Sequence, residues 1–267
     1  MITQDTYQAI IDQLDDFTYT SMRYTPYEYV EDASVCIHTK DLILIKGYSK
    51  ELSMTEIYFC VNDIQILLHA LDEIKEPVYL QFVPNEHTTE FTRHGFTHFA
   101  HFREMYAYSF PEGTPIQILS LDEAKDAAAI TRDCRLQSRG FLGETDSWAI
   151  NWMQGKDPNA DYCKYCAILG TKAGNTLTGM VAVALYSFDK PEGPTLWVRE
   201  VCVKPEYQGQ GYGKQLLAQA LAYGAKYHAH KAFLMADVLN KNAISLYEKN
   251  GFTFLDDDGQ IDMIRES

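Results

Sequence analysis

Val203-Lys204-Pro205-Glu206-Tyr207-Gln208-Gly209-Gln210-Gly211-Tyr212-Gly213-Lys214 joins two segments of different periodicity. Upstream, Leu196 to Val203 reads as a strand. Downstream, Gly213 to about Tyr227 sets Leu216, Leu217, Ala220, Leu221 and Gly224 on one helical face. Three glycines within five residues let the backbone turn with little side-chain obstruction. A helix that starts there aims its unsatisfied first-turn amides and the positive end of its dipole outward. Such an end binds anions, phosphate and pyrophosphate above all. Lys214 either adds charge there or sits in solvent.

The spacing separates this turn from two other phosphate loops. A P-loop needs G-x-x-x-x-G-K-[ST], and Lys214 is followed by Gln215 at the wrong glycine interval. A dinucleotide fingerprint needs G-x-G-x-x-G, and the position after Gly213 is Lys214. Taken alone, the cluster also fits an ordinary flexible strand-to-helix turn.

Strands and turns surround the loop. Tyr165 to Leu169, Leu177 to Phe188 and Phe233 to Val238 read as strands, and Ala243 to Asn250 as a short helix stopped by Gly251. Cys163, Tyr165 and Ala167 are expected to share one strand face. Farther upstream, Ser120-Leu121-Asp122-Glu123 is a capping box ahead of a helix running to about Gln137. Pro111-Glu112-Gly113-Thr114-Pro115 is the best boundary between two domains, 1–112 and 113–267.

The two halves echo each other. Phe91-Thr92-Arg93-His94-Gly95-Phe96 matches Tyr247-Glu248-Lys249-Asn250-Gly251-Phe252 at an offset of 156, and Phe59-Cys60-Val61 resembles Val201-Cys202-Val203. Between these anchors the first half is shorter by 14 residues, and it lacks the glycine-rich stretch. Two copies point to a duplicated domain rather than a solenoid.

Composition bounds the function. The chain has 267 residues, 46% of them hydrophobic, and a net charge of −14. It is long enough for two domains and too acidic to favour nucleic acid through phosphate neutralisation. Met1-Ile2-Thr3-Gln4-Asp5 starts no secretion signal, and no stretch approaches a membrane-spanning length. Six scattered cysteines (Cys36, Cys60, Cys134, Cys163, Cys166 and Cys202) suit reduced thiols in a cytoplasm. Cys163-x-x-Cys166 has no second pair to complete a zinc ribbon, so no metal is expected.

Gln208-x-x-Gly211-x-Gly213, with the preceding Val-x-Pro-Glu-Tyr, resembles the pyrophosphate loop of the GNAT superfamily of acyl-CoA-dependent N-acetyltransferases. Asn240-x-x-Ala243-x-x-x-Tyr247-Glu248-Lys249-x-Gly251-Phe252 is similar to that family's second motif, at the family's usual separation. The resemblance covers roughly Pro115 to the C-terminus. It implies an α/β fold of three layers around a mixed, mostly antiparallel sheet. The first half resembles such a unit only in its later part, which implies a tandem of a degenerate and a catalytic domain.

The resemblance further implies acetyl-CoA as co-substrate. Its diphosphate would meet the backbone amides of Gln208, Gly209, Gln210, Gly211, Tyr212, Gly213 and Lys214, and its pantetheine arm would pair with Val201, Cys202 and Val203. A backbone N–H near Val203 would polarise the thioester carbonyl, and Asn240 would line the same cleft. Direct transfer to an amine needs a proton acceptor for the amine and a donor for the thiolate. Tyr247 is the expected acid, and Glu200, on the strand leading to the loop, the expected base. Phe91, at the place matching Tyr247, has no hydroxyl.

Other features read as structural. His228 and His230 end a helix, Asp256 to Asp258 form a solvated turn, and Arg132, Arg135 and Arg139 either face water or meet a substrate carboxylate. The aromatic segment from Phe96 to Phe110 is expected to wall the acceptor site. The acceptor is a small-molecule or peptide amine, and net acidity leans towards a cationic one. A homodimer is the assembly entertained; nucleic-acid and membrane partners are not expected. Alternatives are a sensor or interaction module that binds acyl-CoA without turnover, and a transferase using a longer acyl donor.

Overall fold

The computed structural model describes every residue except 51, 112, 136–140, 142, 158, 159 and 267, and only the backbone of Tyr24. Gln137 at the expected helix end, Arg139 and Glu112 therefore lie outside the described residues. The chain forms two compact units, 1–101 with 258–267, and 102–257.

The first unit contains α1 (Gln4–Ile11), β1 (Tyr19–Thr20), α2 (Tyr27–Val30), β2 (Ser34–His38), β3 (Leu42–Ser49), β4 (Met54–Val61), α3 (Ile64–Asp72), β5 (Val78–Leu80) and α4 (Thr88–Arg93). β6 (Thr97–Ala107) starts in this unit and finishes in the second. The second unit continues with α5 (Ala124–Asp133), α6 (Asp146–Met153), β7 (Lys164–Ala173), β8 (Thr176–Tyr186), β9 (Thr195–Val203), α7 (Tyr212–Lys226), β10 (Lys231–Asp237), α8 (Lys241–Lys249) and β11 (Thr253–Phe254). β12 (Gln260–Arg265) returns to the first unit. The division between these compact units falls inside β6.

In the first unit the strands run β2-β3-β4-β5-β12. Only β4 and β5 are parallel; the other neighbours in this order are antiparallel. Leu42 and Leu44 pack with Phe59, Val61 and the α3 leucines, whereas Ile43 and Ile45 pack with Tyr58, Cys60 and Ile10 of α1. Both faces of the first half of β3 are buried, which explains the apolar run Leu42–Ile45.

The second unit runs β6-β10-β9-β8-β7, with β9 and β10 parallel. Val181, Val183 and Leu185 meet Leu216, Leu217, Ala220 and Leu221 of α7; Met180, Ala182 and Ala184 meet α5 and α6 on the other face. Each unit is therefore the expected α/β sandwich of helices, mixed sheet and helices.

The shared face expected for Cys163, Tyr165 and Ala167 does not exist. The register slips between Lys164 and Ala167, and Tyr165 adopts φ 53°. Cys163 and Cys166 pack on the α5–α6 side and Ala167 on the α7 side. An inserted residue shifts the strand alternation by one.

The echo between halves has a local structural form. Gly95 and Gly251 have φ 85° and 86°. Phe96 N donates to Phe91 O, and Phe252 N to Tyr247 O, both at 3.1 Å. Each glycine ends its helix in the left-handed region, and each aromatic after it folds back over the helix.

Candidate active site

β9 lies between β8 and β10, but its two edges are not equally used. Its pairing with β8 runs from Thr195 to Val203, while β10 pairs only with Thr195, Leu196 and Trp197. Among the described residues no strand pairs with β9 beyond Trp197 on the β10 side. Lys204 N donates to Thr178 O of β8 at 2.9 Å. Strand alternation then turns the N–H groups of Val203 and Val201 to the open edge.

The glycine loop follows at once. Gly209 and Gly211 have φ 73° and 89°, and a Cβ on either would meet open space. Conformation, not room, calls for glycine there. At Gly213 the reason is room: a Cβ would lie 3.0 Å from Leu246 Cδ2 of α8. Gly211 is the N-cap of the 15-residue α7 and offers no side chain to its first amides. The Gln208 side chain donates to Val203 O at 2.9 Å and ties the loop to the strand end. Lys214 and Gln210 are exposed. A cleft of about 670 Å³ beside the loop is lined by Arg132, Asp133, Arg135, Pro205 and Glu206.

Glu200 sits just past a β-bulge. Ala182 pairs with Glu200 and Val183 with Val198, so Arg199 is the extra residue. Only 18% of the Glu200 side chain is exposed. Burial pushes its carboxyl up to about 8, against a lowering by Arg199 and with a smaller rise from Glu144. Burial also raises the Tyr247 hydroxyl well above the ordinary tyrosine value, with smaller contributions from Cys202 and Glu200. Those interactions put α8 and the loop-proximal end of β9 within electrostatic reach. Tyr247 therefore stays a proton donor throughout the neutral range.

Sequence reading missed what surrounds Glu200. The Arg199 guanidinium lies 4.8 Å from the Trp148 ring centre, 5.1 Å from Trp152 and 5.8 Å from Trp197. It pairs with Asp157 at 3.0 Å and Glu144 at 3.2 Å, and its Nε is 3.9 Å from Glu200 Oε1. One guanidinium thus faces three carboxylates in an aromatic setting. Trp148 and Trp152, four apart on one helix, were the available signal. Cys134 was missed too: its thiol donates to Val203 O at 3.2 Å. A hydrogen bond with Cys134, then burial, keep the Cys202 thiol neutral.

Asn240 accepts from Ala243 N at 3.1 Å and caps α8, the helix that carries Tyr247. Arg132 donates to Glu144 O and pairs with Asp146, so it braces the α5–α6 connection. His230 Nδ1 lies 3.0 Å from Pro194 O. Among the described residues, no group of three or more His, Cys, Asp or Glu is placed to hold a metal, and no helix is long and apolar enough to cross a membrane.

Residues 130–252 match the model of the acetyltransferase (GNAT) family. Over 115 residues the chain is 30% identical to spermine/spermidine N(1)-acetyltransferase of Bacillus subtilis strain 168, covering 40% of this chain and 75% of that protein. An acetyltransferase of the GNAT family from Colwellia psychrerythraea superposes with a TM-score of 0.57 at 12% identity, covering 100% of this chain and 98% of that one. The GCN5-related N-acetyltransferase from Sphaerobacter thermophilus gives 0.53 at 13% identity, over 84% and 76%. The two structures bear on the fold.

Proposed function

The chain belongs to the GNAT acetyltransferase family, and on that premise we propose that its second unit moves the acetyl group of acetyl-CoA directly to a primary amine, with Glu200 as general base and Tyr247 as general acid. The carrying observation is that the open edge of β9, the uncapped start of α7 and the Glu200–Tyr247 pair converge on one strand end.

The Val201 and Val203 edge pairs with the pantetheine amides, and the α7 amides with the diphosphate. The amine lone pair then attacks the thioester carbon, and its surplus proton goes to Glu200. A backbone N–H near Val203 that the pantetheine arm leaves unused steadies the oxyanion. When the carbonyl re-forms, the C–S bond breaks and the thiolate takes the Tyr247 proton. A carboxyl held near 8 is a stronger base than an ordinary one, which suits removing a proton from an ammonium intermediate.

The acceptor is a cationic polyamine. Glu144 and Asp157, both bound to Arg199 beside Glu200, bring carboxylates to the reacting end, and the Bacillus subtilis relative carries spermine and spermidine in its name. Initial rates across spermine, spermidine, a monoamine, an aminoglycoside and a lysine peptide test this. The polyamines should lead in kcat/KM by about ten-fold or more. A leading monoamine would discard the acceptor class. Failure of every one of these amines to release coenzyme A, with acetyl-CoA binding kept, would discard the enzyme reading in favour of a sensor.

The loop has its own test. Gly211→Val forces a β-branched residue into the left-handed region at a cost of about 1–2 kcal/mol. The acetyl-CoA KM should rise roughly ten-fold with kcat little changed. An unaltered KM would remove the α7 end from the binding site.

A further inference from the structure

The first unit repeats the arrangement that the second leaves open, and there both openings are filled by the chain itself. β4 pairs with β3 up to Val61, whereas β5 pairs only with Thr55, Glu56 and Ile57. This is the same one-sided splay as β9 between β8 and β10. The β5-side edge of β4 does not stay bare, because β1 lies along it: Tyr19 pairs with Val61 and Thr20 with Cys60. Since β3 already holds the other edge at both positions, β1 can only be on the splayed side.

The residues covered are the counterparts of the cofactor edge. Phe59, Cys60 and Val61 align with Val201, Cys202 and Val203. Ser21 N donates to Phe59 O, and Phe59 N to Ser21 Oγ, both at 2.9 Å. Thr18 N donates to Asn62 Oδ1 at 3.0 Å. The Tyr19 hydroxyl is 2.9 Å from His87 Nε2, next to α4, the counterpart of α8. An unpaired strand edge needs a partner. In the first unit the partner is covalently present.

The helix end tells the same story independently. Only Asn62 and Asp63 separate β4 from α3, and Asp63 Oδ1 accepts from Gln65 N at 2.9 Å. The first-turn amides of α3 thus already face a carboxylate, which repels a phosphate. At α7 the N-cap is a glycine.

We propose that Thr18–Ser21 is a resident strand filling the first unit's counterpart of the acyl-CoA groove, with Asp63 filling the place of the diphosphate, so that the chain takes one acyl-CoA, in the second unit. The proposal rests on reading the second unit as the acyl-CoA site.

Titration calorimetry with coenzyme A and hydrogen exchange on the full chain test it together. One molecule should bind per chain. Segment 18–21 should exchange at least about ten-fold slower than an open coil, and 18–21 and 59–62 should not change when coenzyme A is added, while 198–203 and 208–214 slow. Two molecules per chain, coil-like exchange at 18–21, or new protection at 59–62 would overturn it. A chain that binds no coenzyme A but protects 18–21 would overturn the reading of the second unit and retain the resident strand.

Discussion

Replacing Tyr247 with Phe should lower kcat about 10²- to 10³-fold, the range lost with a general acid, and leave the affinity for acetyl-CoA unchanged. The ring contributes packing, 6.2 Å from Phe252 in an edge-to-face contact, and Phe keeps it. The first unit already carries this variant. Phe91 occupies the matching place, meets Phe96 at 5.7 Å edge to face, and closes its helix with the same backbone bond. Stability should therefore move by less than about 1 kcal/mol, so a loss of rate reports chemistry. The hydroxyl is buried in the field of Glu200 and Cys202, which favours the protonated donor. Steady-state kinetics with calorimetry for acetyl-CoA decide it. A kcat within about two-fold of wild type, too small for a general acid, would leave Tyr247 a core aromatic.

What was legible in the chain followed from local rules. Gly211 and Gly251 announce left-handed turns because few other residues go there. The Ser120–Glu123 capping box is present as the spacing suggests. The long helix α7 shows its face because one side is buried and the other wet. What stayed hidden depends on register. The first half of β3, Leu42–Ile45, is apolar on both faces, so period two carries no signal there, and the bulges at Tyr165 and Arg199 shift alternation by one residue without any mark in composition. Arg199, Glu144 and Asp157 are 12 or more positions apart in pairs that only the α5–α6 layer brings together. β1 was invisible because two residues make no periodic pattern; its identity lies in the splayed edge it covers.

Replacing Glu200 with Gln should flatten the acid limb of the pH–rate profile. With its carboxyl at about 8, Glu200 is mostly protonated at neutral pH, so if it is the proposed base, kcat/KM should climb as pH rises towards 8 and level above it. Gln cannot take the proton, and the plateau should fall about 10²- to 10³-fold. Stability should move the other way. The folded value of Glu200 lies above the unfolded carboxyl value of about 4.3, so the native state binds the proton more tightly. Its contribution is greatest below the unfolded value, declines as pH rises through the window up to about 8, and is constant beyond. The amide has no such window. At pH 5 the two proteins should melt close together, and at pH 8.5 the variant should be the more stable by a few kcal/mol, about 5 at most for the whole shift. Slower catalysis with higher alkaline stability is the signature of a buried base that the fold tolerates for its chemistry. A retained limb near pH 8 in the variant would move the base elsewhere, and equal melting at pH 8.5 would show that the carboxyl is not strained by burial.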